Sequence, residues 1–443
     1  MNLYNKGFEL SPLTYLKDGV NQKLTQNRVP VEFSSEIAAL TEVNLFPEPC
    51  YKRHDLRGKP CLTIDSDDSK DLDDAVSLQK TANGYELSVH IADVAAYVTL
   101  GSTLETTAME RGTSIYLPHQ TISMLPAVLS DNLCSLNPGK DRIAVTVNIA
   151  MDFDGNVQNY DIFKSLICSR VKGIYSEVNA ILNGSTNEIL HKKYIGLIEM
   201  LFEMRSLSDK LRVQREKNGA NISANKKIKF DVREKDIDLF VEEKGISDSI
   251  IEEFMVLANS LVAEYLKKNN IPFIYRAQVE KGRLAKYVAT ECGHAMLAFD
   301  RYAHFTSPIR RLADLKVHQV LTAHLNGVDA KILWETFSDD LIKSAERATR
   351  CENRSDHIYQ ASKKICMEKF FEPLQNDEFE AEVIGRNSKN RPIFLLSKYQ
   401  LSIIGKAGQI AYEGMRVVLK LIVNYQNGGI EVASYRRIRK ATA

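Results

Sequence analysis

No GxxxxGK(S/T) phosphate loop and no GxGxxG fingerprint occurs in the 443 residues, which argues against nucleotide-driven or dinucleotide chemistry and against a nucleotide cofactor. The seven cysteines (Cys50, Cys61, Cys134, Cys168, Cys292, Cys351 and Cys366) are scattered, odd in number and never spaced as CxxC, so neither a zinc site nor a disulfide framework is indicated. Reduced thiols are the expectation. There is no run of 18 or more apolar residues, and Met1 to Gly19 has neither a basic region nor a long apolar stretch. A cytoplasmic protein without membrane contact is expected. Excess charge is missing too: 58 Lys and Arg face 57 Asp and Glu, so affinity for a polyanion has to be regional.

What is present is the composition of a globular enzyme, 44% hydrophobic and 26% charged, in a chain too long for one hydrophobic core. Residues 1–50 carry weak helical periodicity broken by Pro, Ser and Asn and read as a short lead-in. From Cys61 the pattern turns strand-like, in Cys61–Ile64, Ala75–Leu78 and Tyr85–Ile91, with Asn83-Gly84 as a hairpin signal. Helices dominate about 180–370. One is expected from Ser249 to Lys268, opened by a capping box at Ser249 and Glu252, and a long one over much of Ala330–Phe370. Pro373 then marks a boundary. The short alternating segments beyond it, Phe379–Ile384, Pro392–Leu396, Met415–Val423 and Gly429–Val432, fit a small OB-type barrel. The predicted class is α+β: a mixed sheet core surrounded by helices over 51–372 and an RNA-binding type of barrel over 373–443. From Gly385 to Ala443, 11 Lys and Arg face only Glu413 and Glu431, which suits a phosphate backbone; a merely soluble basic face is the alternative.

The densest chemical signal is the loop between the first two strands, where Asp65, Asp67, Asp68, Asp71, Asp73 and Asp74 place six carboxylates in ten positions. Calcium in an EF-hand is excluded by Lys70 at the sixth position and Val76 at the twelfth. A few Asp oxygens with room for water and phosphate suit Mg²⁺, and hydrolysis of a phosphodiester is the chemistry such ions support. A solvated acidic turn is the other reading. Further on, Ser307 and Pro308 look like a helix start, which places Arg310 and Arg311 in a first turn whose free N–H groups favour phosphate.

These segments resemble the catalytic domain of the RNase II/RNase R (RNB) family. The likeness rests on Asp55-Leu56-Arg57, Thr63 to Ala75, Val89 to Val94, Tyr116-Leu117-Pro118, Leu133 to Leu136, Ile251 to Asn259 and Tyr302 to Asp314, in family order. It implies a 3′-to-5′ exoribonuclease that takes single-stranded RNA with a free 3′ end; the oligomeric state is left open, with a monomer favoured. On the resemblance Asp65, Asp71, Asp73 and Asp74 hold Mg²⁺, Asp73 is the most critical to activating water, and Arg310 neutralises charge at the scissile phosphate. It places Tyr116 near the RNA 3′ end, Glu253 near the terminal nucleotide and Arg276 as a further RNA contact. Arg311 is a backbone clamp or a surface ion pair, and structural salt bridges are alternatives for Glu253 and Arg276. His90 and His304 are expected to be structural.

The sequence departs from the family at Ser223, where a base-stacking aromatic is usual and Phe230 or Tyr265 are candidate substitutes. It also has Gln278 for a usual histidine, Leu312 for a usual tyrosine, and a short stretch at Val279–Gly293. Only 64 residues precede the acidic loop at Asp65, so the family's N-terminal cold-shock barrels are expected to be absent from this sequence, and trimming of short 3′ extensions is the expected task. A catalytically silent RNA-binding relative is the alternative, against which the four intact aspartates count.

Overall fold

The computed structural model describes residues 11–41, 53–222, 226–375, 377–406, 408–424 and 429–438. The alternating apolar residues after Cys61 build a seven-stranded mixed sheet in the spatial order His54–Asp55, Val157–Cys168, Asp141–Met151, Gly84–Ala92, Asp74–Thr81, Leu62–Asp65 and Val171–Ile174. The pairing at each edge is parallel and the inner ones are antiparallel. The central strand Gly84–Ala92 is buried on nearly every residue because both sheet faces are covered. The helices Ile198–Lys217 and Ile246–Lys268 contact the central strands. At the hairpin, Thr81 pairs with Gly84 across a two-residue loop. Gly84 has φ +147°, and a Cβ there would lie 2.0 Å from the Met151 carbonyl oxygen, so only glycine lets the two strands approach.

The α+β architecture agrees with the sequence reading, but two helix starts do not. The helix expected from Ser249 begins at Ile246, because the Asp248 carboxylate reaches back to accept from the Gly245 N–H at 2.9 Å. The helix expected from Ser307 begins at Leu312. Residues 308–310 form a separate turn, and Arg311 is extended and bridged to Thr113. The Ser114 N–H and Thr113 hydroxyl both donate to the Arg310 carbonyl at 3.0 Å, and the Leu312 N–H donates to the Gly112 carbonyl at 3.0 Å. These long-range bonds draw the backbone out of helix, so neither arginine lies in the first turn: Arg311 is the residue that caps the helix and Arg310 precedes it.

A further hairpin, Lys226–Val232 with Ile237–Glu243, lies where helices were expected. Residues 11–26 also hold more structure than a lead-in. Ser11 caps the helix Pro12–Gln26, whose Leu16, Val20 and Leu24 recur four apart on one buried face. That face packs with Ile115, Leu117 and Ile122 of the small hairpin Ile115–Leu117/Gln120–Ile122, with Phe230, and with Ile358 on the long helix Ala330–Phe371.

After Pro373 an antiparallel sheet runs in the order Leu401–Ile404, Pro392–Leu396, Glu378–Arg386, Arg416–Asn424 and Gly429–Arg437, and its two edge strands touch. This is the strand order of an OB-type barrel, with Leu401–Ile404 as a strand the alternation had not marked. Phe371, Phe379, Phe394, Val417, Leu419 and Val432 fill its own core. The basic excess is partly consumed internally. Arg386 and Arg391 donate to backbone carbonyls, Arg416 and Arg436 pair with Glu380 and Glu378, and Asp377, Glu378, Glu380 and Glu382 reduce the balance of 373–443 to +5. Among the described residues no helix is long and apolar enough to cross a membrane.

Candidate active site

The acidic loop joins two neighbouring strands, so Asp65 closes one and Asp74 opens the other. Between them the chain is fixed at its apolar and polar residues alike. Leu72 is fully buried, its N–H donates to the Ser135 hydroxyl at 3.1 Å, and that hydroxyl donates to the Lys70 carbonyl at 2.6 Å. Lys172 adds bonds to the carbonyls of Asp67 and Ser69 at 2.6 and 2.7 Å. Ser135 and Lys172 thus hold a loop whose carboxylates repel one another. No local signal near residue 65 names them.

Asp73 is 3% exposed and doubly held: the Ile309 N–H donates to Oδ1 at 2.8 Å and Arg310 Nε to Oδ2 at 3.1 Å. Arg310 also donates through Nη2 to the Ser307 hydroxyl at 2.8 Å, and its side chain remains 40% exposed. Asp71 accepts from the Tyr116 hydroxyl. Asp65 and Asp74 differ from these two, since each buries a carboxylate Oδ2 with no hydrogen-bond partner. Burial, then repulsion from Asp74, pushes the Asp65 carboxyl up to about 8, against the pull of Arg310. Burial raises Asp74 to about 6, opposed by Arg310 and Arg311. Asp73 is also raised, by burial first, with Arg310 opposing. For Arg310 burial disfavours the charge, but Asp73, Tyr116, Asp314 and Asp71 outweigh it and the guanidinium stays protonated.

The fold therefore brings together Asp65, Asp71, Asp73, Asp74, Tyr116 and Arg310. Among the described residues no three His, Cys, Asp or Glu side chains already converge as a closed metal group. The donor chemistry nevertheless fits a hard cation. Two buried carboxylate oxygens without partners carry a desolvation cost that a divalent ion would offset.

Other candidates fall elsewhere or serve the frame. Glu253 is 2% exposed with Arg215 Nε at 3.4 Å, and burial raises its carboxyl to about 7. Arg276 pairs with Glu352 at 2.6 Å and lies over the Tyr287 ring, the geometry of a structural salt bridge. Arg311 pairs with Asp314 at 2.8 Å. His90 is buried against Thr146 and His304 against the Tyr287 hydroxyl. Gln278 organises its own loop, donating to the Arg283 carbonyl and accepting from the Met296 N–H. Leu312 is fully buried. Ser223 lies outside the described residues. Phe230 sits in the core beneath the Tyr116 hairpin, whereas Tyr265 packs edge-on against His324.

One neighbour had no sequence signal. Tyr175 follows the strand Val171–Ile174, in which Ile174 pairs with Asp65. That pairing sets Tyr175 next to the acidic loop, where burial, then the charges of Asp74 and Asp65, raises its phenol above the ordinary value.

The mixed sheet thus presents clustered carboxylates beside an arginine. The RNB domain matches residues 53–284 and 280–327, and the chain belongs to that family. It is 35% identical to ribonuclease R of Thermotoga maritima over 391 aligned positions, covering 74% of this chain and 54% of that protein. Ribonuclease R of Mycoplasmopsis pulmonis is 30% identical over 438 positions, 84% of this chain and 58% of its own. The chain spans about half the length of the curated relatives it matches. In fold it is similar to the apo form of Mycoplasma genitalium RNase R, with TM-score 0.81 and 23% identity over 95% of this chain and 78% of that one.

Proposed function

We propose that this chain is a 3′-to-5′ exoribonuclease that hydrolyses single-stranded RNA to nucleoside 5′-monophosphates with Mg²⁺. The observation that carries the reading is the four-aspartate cluster closed on one side by Arg310, with unpartnered oxygens on Asp65 and Asp74. Membership of a family whose matched relatives are ribonucleases R supports the direction and the substrate.

Hydrolysis joins a water oxygen to phosphorus and releases the 3′-oxygen of the preceding nucleotide, which takes up a proton. Negative charge grows on the phosphate oxygens. Arg310, held by Asp73 and Ser307 with part of its guanidinium exposed, faces that charge without having to reorient. Asp65 and Asp74 would hold Mg²⁺, assisted by Asp71 and Asp73. When bound, the ion lowers the pKa of water and screens the phosphate. Tyr116, 42% exposed and tied to Asp71, offers its ring to the terminal nucleotide.

The test is incubation of 5′-labelled single-stranded RNA with the protein in Mg²⁺ or in EDTA. A ladder descending one nucleotide at a time, abolished by EDTA, is expected. Retention of RNA without cleavage would show a silent RNA-binding relative instead.

A further inference from the structure

A cavity of about 640 Å³ opens beside the acidic loop, and five segments distant in sequence wall it, one of them through Asp131 alone. Lys70 and Asp71 stand on the loop, Tyr116 on the small hairpin, Phe230 on the second hairpin, and Tyr359 and Lys363 on the long helix. Its size is that of a site for one small molecule. Asp71 and Tyr116 are shared with the candidate active site, but Asp65, Asp73, Asp74 and Arg310 do not line it. The cavity is therefore the next compartment past the cluster.

Its walls differ in chemistry. The loop side carries the carboxylates of Asp68 and Asp71, which accept from hydroxyl and amino groups, together with the exposed Lys70, and Asp131 adds a third carboxylate. The helix side carries Lys363, which forms no ion pair among the described residues; its ammonium lies 5.6 Å from the Tyr359 ring centroid. Lys229 on the same side is already paired with Glu242 at 2.8 Å, so Lys363 is the cation that side offers to a bound anion. Burial lowers the Lys363 ammonium below its ordinary value, because a partly desolvated charge is disfavoured. Between the two ends stand the rings of Tyr116 and Tyr359. A ligand with a planar ring, several hydroxyls and one phosphate matches this order of donors, acceptors and faces.

We infer that this cavity binds one nucleoside 5′-monophosphate, with the phosphate at Lys363 and the base and ribose between Tyr359, Tyr116 and the acidic loop. Its role as a holding place for the released product rests on the exoribonuclease reading; the binding itself does not. Occupancy then competes with the advance of the next nucleotide past Tyr116, so the product inhibits.

The experiment uses AMP as the probe on the full chain. Calorimetric titration measures its affinity, and initial rates on single-stranded RNA with added AMP measure inhibition, in wild type, Lys363→Glu and Tyr359→Leu. Circular dichroism melts verify that each variant is folded. The expected result is AMP binding and inhibition in wild type, each weakened about tenfold or more by Lys363→Glu, the size of one charge-assisted hydrogen bond. Turnover without AMP stays within about threefold of wild type. Absence of AMP binding, or binding unchanged in both folded variants, overturns the inference. So does a Lys363→Glu variant that loses affinity for non-cleavable RNA but not for AMP, which would make the cavity part of the RNA path. If AMP binds in a Lys363-dependent way while RNA is not cleaved, the nucleotide site stands and the exoribonuclease reading falls.

Discussion

The Asp73 carboxylate, 3% exposed in the wild type, keeps only the Ile309 N–H as donor when Arg310 is replaced by alanine. Loss of the 3.1 Å charge-assisted bond from Nε is worth about 1.5–3 kcal/mol, toward the lower end because the Arg310 side chain is 40% exposed. A destabilised but folded protein is therefore expected. The effect on chemistry is larger: withdrawing a positioned donor from a charge that grows in the transition state costs about 10²–10³ in turnover. Affinity for a non-cleavable RNA should change only a few-fold. Lysine should restore turnover in part, since one ammonium cannot reproduce a fork whose Nε binds Asp73 while Nη2 binds Ser307. Asp73→Asn should also lower turnover by about 10² or more. Because Asp73 orients Arg310 directly, the two losses should not multiply, and Asp73→Asn/Arg310→Ala should fall within about threefold of the worse single variant. The double variant should also melt higher than Arg310→Ala, because it no longer strands a buried charge. Single-turnover cleavage, equilibrium RNA binding and thermal melts on the four proteins decide the matter. Multiplicative losses in turnover, or equal loss of affinity and turnover in Arg310→Ala, would refute the coupling.

The raised carboxyls make a second expectation about pH. Asp65, near 8, and Asp74, near 6, stand above their unfolded value of 3.8, so folding favours their protonated forms. Stability in EDTA should fall as pH rises from about 4 toward 8, and Mg²⁺ should raise the melting temperature most at the alkaline end. A gain from Mg²⁺ that is the same at every pH, or no gain, would remove Asp65 and Asp74 from the metal site. Removing residues 377–443 should weaken RNA binding and flatten its dependence on salt, by about one unit of slope for each phosphate that the barrel had neutralised, while saturating short RNA is still cleaved. An unchanged slope in filter binding across salt concentrations would show that the barrel touches no phosphate.

Much of this protein was legible as a one-dimensional pattern. Alternation in Tyr85–Ile91 and the neighbouring runs marked the sheet, Pro373 marked the end of the long helix, and the six crowded aspartates announced their loop before any fold was known. Such features are local, because hydrophobic period, turn residues and repulsion between adjacent charges act over a few positions. The ordered family segments extended this to the class of site. Tertiary structure decided which partners meet. Arg310 looked like a first-turn residue because Ser307-Pro308 is a sound helix start by itself. Competing bonds from Gly112, Thr113 and Ser114 moved the start to Leu312 and turned Arg310 onto Asp73, 237 positions away. Likewise nothing around residue 16 indicated that Leu16, Val20 and Leu24 would support the hairpin carrying Tyr116, nor anything around 135 that a serine hydroxyl would hold the acidic loop. The sequence determined three central strands, the acidic loop between two of them and its carboxylate chemistry, because those depend on near neighbours. Only the folded chain determined which carboxylate oxygens of the cluster are claimed by donors and which two are left without one, because burial and long-range hydrogen bonds have no local signature.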